Sequence, residues 1–179
     1  LNRPLTGKIL VPFCPESSLS GIGNTDYLNA VWYRRRVTIP AEWSGHDVLL
    51  HFQAVDYDAT VFINGQEIYR HRGGFSPFTC ELRHTPDAKP GQEIEIVVRA
   101  RDTNRDPQPR GKQAQRFHGH DCNYPRTTGI WQTVWLEPVP SFALKRPRIT
   151  PDVAGSRFHI EQPLSRSTRG LKIKAQLAD

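Results

Sequence analysis

Side chains able to do chemistry crowd into one stretch of this sequence, Arg101 to Pro125, where the alternation of apolar and polar residues stops and Arg, Asp, Gln, Asn, His and Pro take over. An unstructured segment of that length inside a compact domain is usually functional or disordered. Within it His118, His120 and Cys122 alternate as metal ligands on a strand would. Alternation without a further ligand motif is not a metal-site signature, so neither a metal nor any other cofactor is expected. Just beyond, Trp131 and Trp135 offer rings on which a flat ligand would stack, but aromatic residues of β-sheets more often fill cores and interfaces, and these two are expected to pack.

The elements that must position this loop read as short strands. The clearest signal is Asn64-Gly65, between the alternating Ala59, Val61, Ile63 and the return strand Glu67 to Arg70. Asn-Gly favours a type I′ hairpin because both turn positions need positive φ. Gly73-Gly74 then permits a backbone path that residues with a Cβ resist. Before the hairpin, Val31 to Ile39 and Val48 to Phe52 alternate as strands; the first carries Arg34, Arg35 and Arg36, whose stems must lead out of the core or lie near an edge. His51 reads as a strand histidine with no special task. After the hairpin, Phe75 to Leu82, Glu93 to Ala100 and Gly129 to Pro138 are predicted strands, Pro77 placing the first at an edge or corner. Short strands at regular spacing with almost no helical period predict an all-β sandwich of about eight strands. Further on, Phe158 to Ile160 and Leu171 to Leu177 read as two more strands, too few for a complete sandwich, with Pro151 to Gly155 as a turn.

Composition narrows the function classes. The 24 basic against 18 acidic side chains give a net charge of +6, which raises nucleic acid as a partner. The basic residues are scattered and no nucleic-acid motif accompanies them, so solvated strand faces account for the charge and no nucleic-acid role is expected. No apolar run is long enough to span a bilayer as a helix, and no membrane role is expected. Cys14, Cys80 and Cys122 are too few for a disulfide framework, and the compartment is not readable from them. The sequence contains no methionine, so an N-terminal portion is expected to have been removed.

Four segments carry a resemblance: Trp32 to Arg35, Val55 to Gly65, His71 to Phe78 and Arg126 to Glu137. In this order and spacing they resemble the N-terminal sugar-binding domain of glycoside hydrolase family 2, which includes β-galactosidases, β-glucuronidases and β-mannosidases. The likeness covers residues 1–140, and Ile149 to Val153 resembles the entry to the immunoglobulin-like domain that follows in the family; residues 141–179 then form its incomplete start. The resemblance implies a jelly-roll β-sandwich, galactose-binding-domain-like, packed against a catalytic (β/α)₈ barrel that bears both catalytic glutamates and is not in this chain. Retaining hydrolysis needs two carboxyl groups about 5 Å apart across the glycosidic bond. Glu93 and Glu95 share a strand face here, but as a solvated polar face opposite Ile94 and Ile96. No catalytic residue, and no hydrolysis by this chain alone, is expected.

The family's domain can send a loop into the barrel's active site, and the resemblance places Asp102 at the position of an acidic residue that holds sugar hydroxyls. A carboxylate accepts hydrogen bonds from two adjacent hydroxyls; a turn-initiating aspartate fits the same position. In β-glucuronidase-like members the substrate-contacting acid lies shortly before the final Gly-Ile, where this sequence has Asn123, with Asp121 nearby. Arg110, Lys112 and Gln113 complete the candidate substrate-binding set, as donors to a sugar or to the barrel's carboxylates. The expected partners are a β-glycoside, the barrel and the immunoglobulin-like domain; the alternative is an autonomous carbohydrate-binding module.

Overall fold

The computed structural model describes residues 4, 5, 7–166, 170 and 172–176, which fall into two compact units divided at residues 138 and 139. The first unit contains β1 (Ala30–Thr38), β2 (His46–Phe52), β3 (Val55–Asp56), β4 (Asp58–Ile63), β5 (Gln66–Arg72), β6 (Phe78–Glu81), β7 (Glu93–Arg101), β8 (Gly129–Ile130) and all but the last two residues of β9 (Val134–Pro140). One sheet has the order β1-β7-β4-β5, a second β6-β2-β9, and β3 pairs with β8.

The hairpin β4–β5 forms as its turn dictates, with φ of 50° at Asn64 and 83° at Gly65. Asn64 also closes the sheet beside it, its Oδ1 accepting from the Glu95 amide at 2.8 Å. Period-two alternation sends Ala59, Val61 and Ile63 inward with Tyr33, Ile94, Val98 and Ala100, where they meet Val48, Leu50, Phe52, Phe78 and Cys80 of the second sheet. Phe52 and Phe78 stack at 4.7 Å and 12°, each burial contributing about 1.5–3 kcal/mol. An open cleft of about 1330 Å³ lies along β1, lined among others by Val31, Val37 and Ile96, by Val134 and Leu136 of the second sheet, and by Arg34, Arg35 and Arg36.

Two expectations are corrected. Gly129 to Pro138 is not one strand: Ile130 pairs with Val55, the chain leaves the ladder over Trp131, Gln132 and Thr133, and β9 then joins β2. The two halves serve different partner strands, a tertiary demand that unbroken alternation cannot reveal. Phe75 to Leu82 shortens to β6, because Pro77 lacks the ladder donor and Leu82–His84 turns into a 3₁₀ helix.

The second unit contains β10 (Arg148–Asp152) and β11 (Arg157–Glu161), paired antiparallel. Pro151 and Asp152, expected in a turn, end β10; the reversal lies over residues 153–156, where Asp152 Oδ1 accepts from the Gly155 amide at 2.9 Å. Residues 172–176 are not in a strand, and Leu171 and Leu177 lie outside the described residues.

Candidate functional site

The loop from residue 102 to residue 128 leaves β7 and returns at β8, and polar side chains rather than ladders hold it. At its base the Asp102 amide donates to the Asn29 carbonyl at 3.0 Å. The Asp102 side chain is 5% exposed and its Oδ1 accepts from Gln108 Nε2 at 2.5 Å. Arg110 bends the first limb back over it, donating to the carbonyls of Thr103 and Asp106. Burial raises the Asp102 pKa, against the opposing pull of Gln108 and Arg110.

Gln113 fastens the middle of the loop to the sandwich. Its Nε2 donates to Asp56 Oδ2 at 2.7 Å and its Oε1 accepts from the Thr127 amide at 3.0 Å, so one side chain ties β3 to both limbs. Asp56 is 2% exposed; burial pushes its pKa up to about 6, the Gln113 bond pulling it down and the neighbouring Asp102 charge raising it further. Its Oδ1 has no partner among the described residues. This oxygen lies against Gly74, where a Cβ would overlap the carboxylate. Trp131 Nε1 donates to the Gly74 carbonyl at 2.8 Å, and the Phe75 ring meets Trp131 edge-on. The bare backbone at Gly74 therefore joins the glycine corner, the buried carboxylate and the link between β8 and β9.

The far limb is closed by Tyr124, whose hydroxyl accepts from the Lys112 amide at 3.1 Å while its own amide donates to the Lys112 carbonyl at 3.0 Å. A tight turn over residues 120–123 puts Asp121 in the left-handed region, φ 50°, which aspartate tolerates better than most residues. Arg126 is buried, its guanidinium 4.0 Å over the Tyr27 ring and donating to the carbonyls of Thr25 and Arg116. The return to β8 is set by two side chains from earlier in the chain: Glu16 Oε2 accepts from the Thr128 amide at 3.2 Å, and the Tyr33 hydroxyl from the Ile130 amide at 3.1 Å.

The candidate residues thus divide. Asp102, Arg110 and Gln113 point their polar groups at the loop and the sandwich, whereas Lys112 and Asp121 are exposed and Asn123 is half-buried beside them. Among the described residues, no three His, Cys, Asp or Glu side chains gather as metal ligands would. Trp131 packs; Trp135 stacks on His51 at 4.7 Å and remains partly exposed. Asp56, Glu16, Tyr33 and Arg126 were not singled out in the sequence. The one signal was a carboxylate, Asp56, directly after Ala54 and Val55, which are both fully buried.

Residues 16–132 match the galactose-binding domain-like family of glycosyl hydrolase 2. The chain is 27% identical over 168 residues to a β-glucuronidase of Paenibacillus borealis, covering 86% of this chain and 27% of that protein. It is 29% identical over 114 residues to a β-galactosidase of Thermoanaerobacter pseudethanolicus, covering 63% and 14%. A solved β-glucuronidase of Faecalibacterium prausnitzii superposes with a TM-score of 0.66 at 27% identity, over 92% of this chain and 32% of that one. The chain therefore spans under a third of the length of these relatives. It belongs to glycoside hydrolase family 2, as the galactose-binding-like N-terminal domain.

Proposed function

We propose that this chain is the non-catalytic sugar-binding part of a larger β-glycoside hydrolase, and that its loop 102–128 forms one wall of an active site whose catalytic carboxylates stand on a (β/α)₈ barrel. The observation that carries the reading is the division of the loop into an anchored base and an open tip. The part-buried bond of Gln113 to Asp56 fixes the loop against the sandwich and that of Gln108 to Asp102 folds its base onto itself, while Asp121 and Lys112 are exposed at turns. Prepaid ordering of this kind lets a loop contribute binding without losing entropy when the ligand arrives.

In this reading Asp121 accepts hydrogen bonds from sugar hydroxyls, and Lys112 and Asn123 donate to ring substituents or to a carboxylate. Asp102, Arg110 and Gln113 hold the loop at the correct height and do not touch the sugar. Residues 141–179, with β10 and β11, are read as part of the immunoglobulin-like domain that packs beside the barrel. The named relatives divide between β-glucuronidases and β-galactosidases, so the test uses both aryl glycosides. The complete polypeptide containing this chain should hydrolyse one of them, and the 179-residue chain neither. In the complete enzyme Asp121→Ala should lower kcat/KM by about 10- to 100-fold, the weight of one charge-assisted hydrogen bond. Unchanged kcat/KM removes Asp121 from the site. Saturable sugar binding by the isolated chain, unchanged in the presence of the rest of the enzyme, would instead make it an autonomous carbohydrate-binding module.

A further inference from the structure

The two larger sheets of the first unit each end in a strand paired on one side, β1 with β7 and β9 with β2. Val31 and Val37 of β1 and Val134 and Leu136 of β9 line the same open cleft, so both edge strands border one space. Its inner wall reaches the core, because Leu50 and Phe52 line it as well. β1 runs for nine residues, about 30 Å, without a proline. An unpaired row of N–H and C=O groups beside apolar side chains is a template for another strand.

The charges along this edge say what kind of strand. Arg34 and Arg36 lie on the outer face and are already engaged, Arg36 with Glu95 at 3.4 Å. Arg35 differs from both. It alternates with Tyr33 and Val37 and stands opposite Ile96, on the core face of the sheet. It has no ion pair or hydrogen bond among the described residues, and no acidic residue lines the cleft. Three demands follow: a ladder partner for β1, apolar side chains toward Ile96 and Leu136, and a carboxylate for Arg35. An extended segment that alternates apolar and polar residues and carries one acid meets all three. A fatty acid meets the last two and leaves the β1 backbone unpaired. A second copy joined edge to edge through β1 brings two Arg34-Arg35-Arg36 runs together, and like charges repel.

We propose that the cleft seats a further β-strand of the same polypeptide, from the segment that precedes residue 1, which pairs with β1 and bonds Arg35 through an aspartate or glutamate. Pro4, Leu5 and Gly7 to Pro12 line the same cleft, so a segment ahead of them reaches it by closing a short loop, at less entropy than a return from further along the chain. The test places a photocrosslinker in the cleft of the complete polypeptide, as Val37→p-benzoylphenylalanine, and maps the crosslinked peptide by mass spectrometry. Hydrogen exchange is compared between the complete polypeptide and the 179-residue chain. The crosslink should fall on an alternating segment ahead of residue 1 that contains Asp or Glu. The β1 amides not bonded to β7 should exchange about 100-fold more slowly in the complete polypeptide. There Arg35→Glu should speed them about 10-fold, while Arg35→Lys keeps most of the protection. A crosslink to a later segment, equal exchange in the two proteins, or exchange unmoved by Arg35→Glu overturns the proposal. So does a concentration-dependent crosslink within residues 1–179, which assigns the edge to a second copy. Each readout decides alone where the other is lost to misfolding. The inference rests on the reading of the chain as part of a larger protein, but no readout is hydrolysis, so it stands or falls apart from the role of loop 102–128.

Discussion

Replacing Asp56 by Asn isolates the energetics of the buried carboxylate beneath the loop. Burial raises the Asp56 pKa from 3.8 to about 6, so the native state holds this proton more tightly than the unfolded chain does. The resulting stability is fully present below the unfolded pKa and is lost as pH rises through the native one, between about pH 4 and pH 6. At about 1.36 kcal/mol for each factor of ten, the loss amounts to roughly 3 kcal/mol. The Asp56→Asn variant has no group to titrate here. Its side chain keeps an acceptor for Gln113 Nε2, and its amide nitrogen, facing the place where Asp56 Oδ1 has no partner among the described residues, adds a contribution that does not change with pH. Urea unfolding followed by tryptophan fluorescence at intervals from about pH 3.5 to 8 gives the stability of wild type minus that of Asp56→Asn. That difference should fall by about 3 kcal/mol across the interval and be flat above about pH 7. A difference that stays constant, or that rises with pH, would refute the claim that the carboxylate is held at a desolvation penalty.

Three further perturbations test the same architecture. Gln113→Ala removes both the bond to Asp56 and the acceptor of the Thr127 amide; it should cost about 1.5–3 kcal/mol, and hydrogen exchange should accelerate at Thr127 while the β4 and β7 amides stay protected. Gly74→Ala drives a Cβ into the Asp56 carboxylate and should lower stability by about 2–4 kcal/mol in thermal or urea unfolding, with the loop amides exchanging faster. Phe52→Ala empties the fully buried contact with Phe78 and should cost about 3–5 kcal/mol by urea unfolding, with no selective effect on loop exchange.

What was legible in the sequence is what short-range chemistry decides. Asn64-Gly65 specifies its turn from two residues, and Ile94, Ile96 and Val98 specify a strand and its inner face. The break between β8 and β9 was not legible, because it comes from two different partner strands and not from any breaker in Trp131, Gln132 or Thr133. The loop announced itself by its loss of alternation, and Asp102 marks its start. The burial of Asp102 was hidden, since it depends on Gln108 folding back and on Arg110 capping two carbonyls. Gln113 and Asp56 are 57 positions apart, and no pattern in either segment names the other.

The resembling segments do more than mark the family; in the folded chain they meet. Asp56 follows Val55 in one segment, Gly74 lies in a second, and Thr127, Thr128, Ile130 and Trp131 in a third, and these residues make the contacts that close the loop on the sandwich. Gly74 must be bare for Asp56 to fit, Asp56 must be acidic or amidic to hold Gln113, and Trp131 must present a ring N–H to the Gly74 carbonyl. The segments are therefore a packing solution for holding a long polar loop, written in residues that do not reach the loop's tip. Lys112 and Asp121 lie outside all of them. The scaffold residues fix where the loop stands, and under the proposed function Lys112 and Asp121 at its tip can be exchanged without disturbing that support.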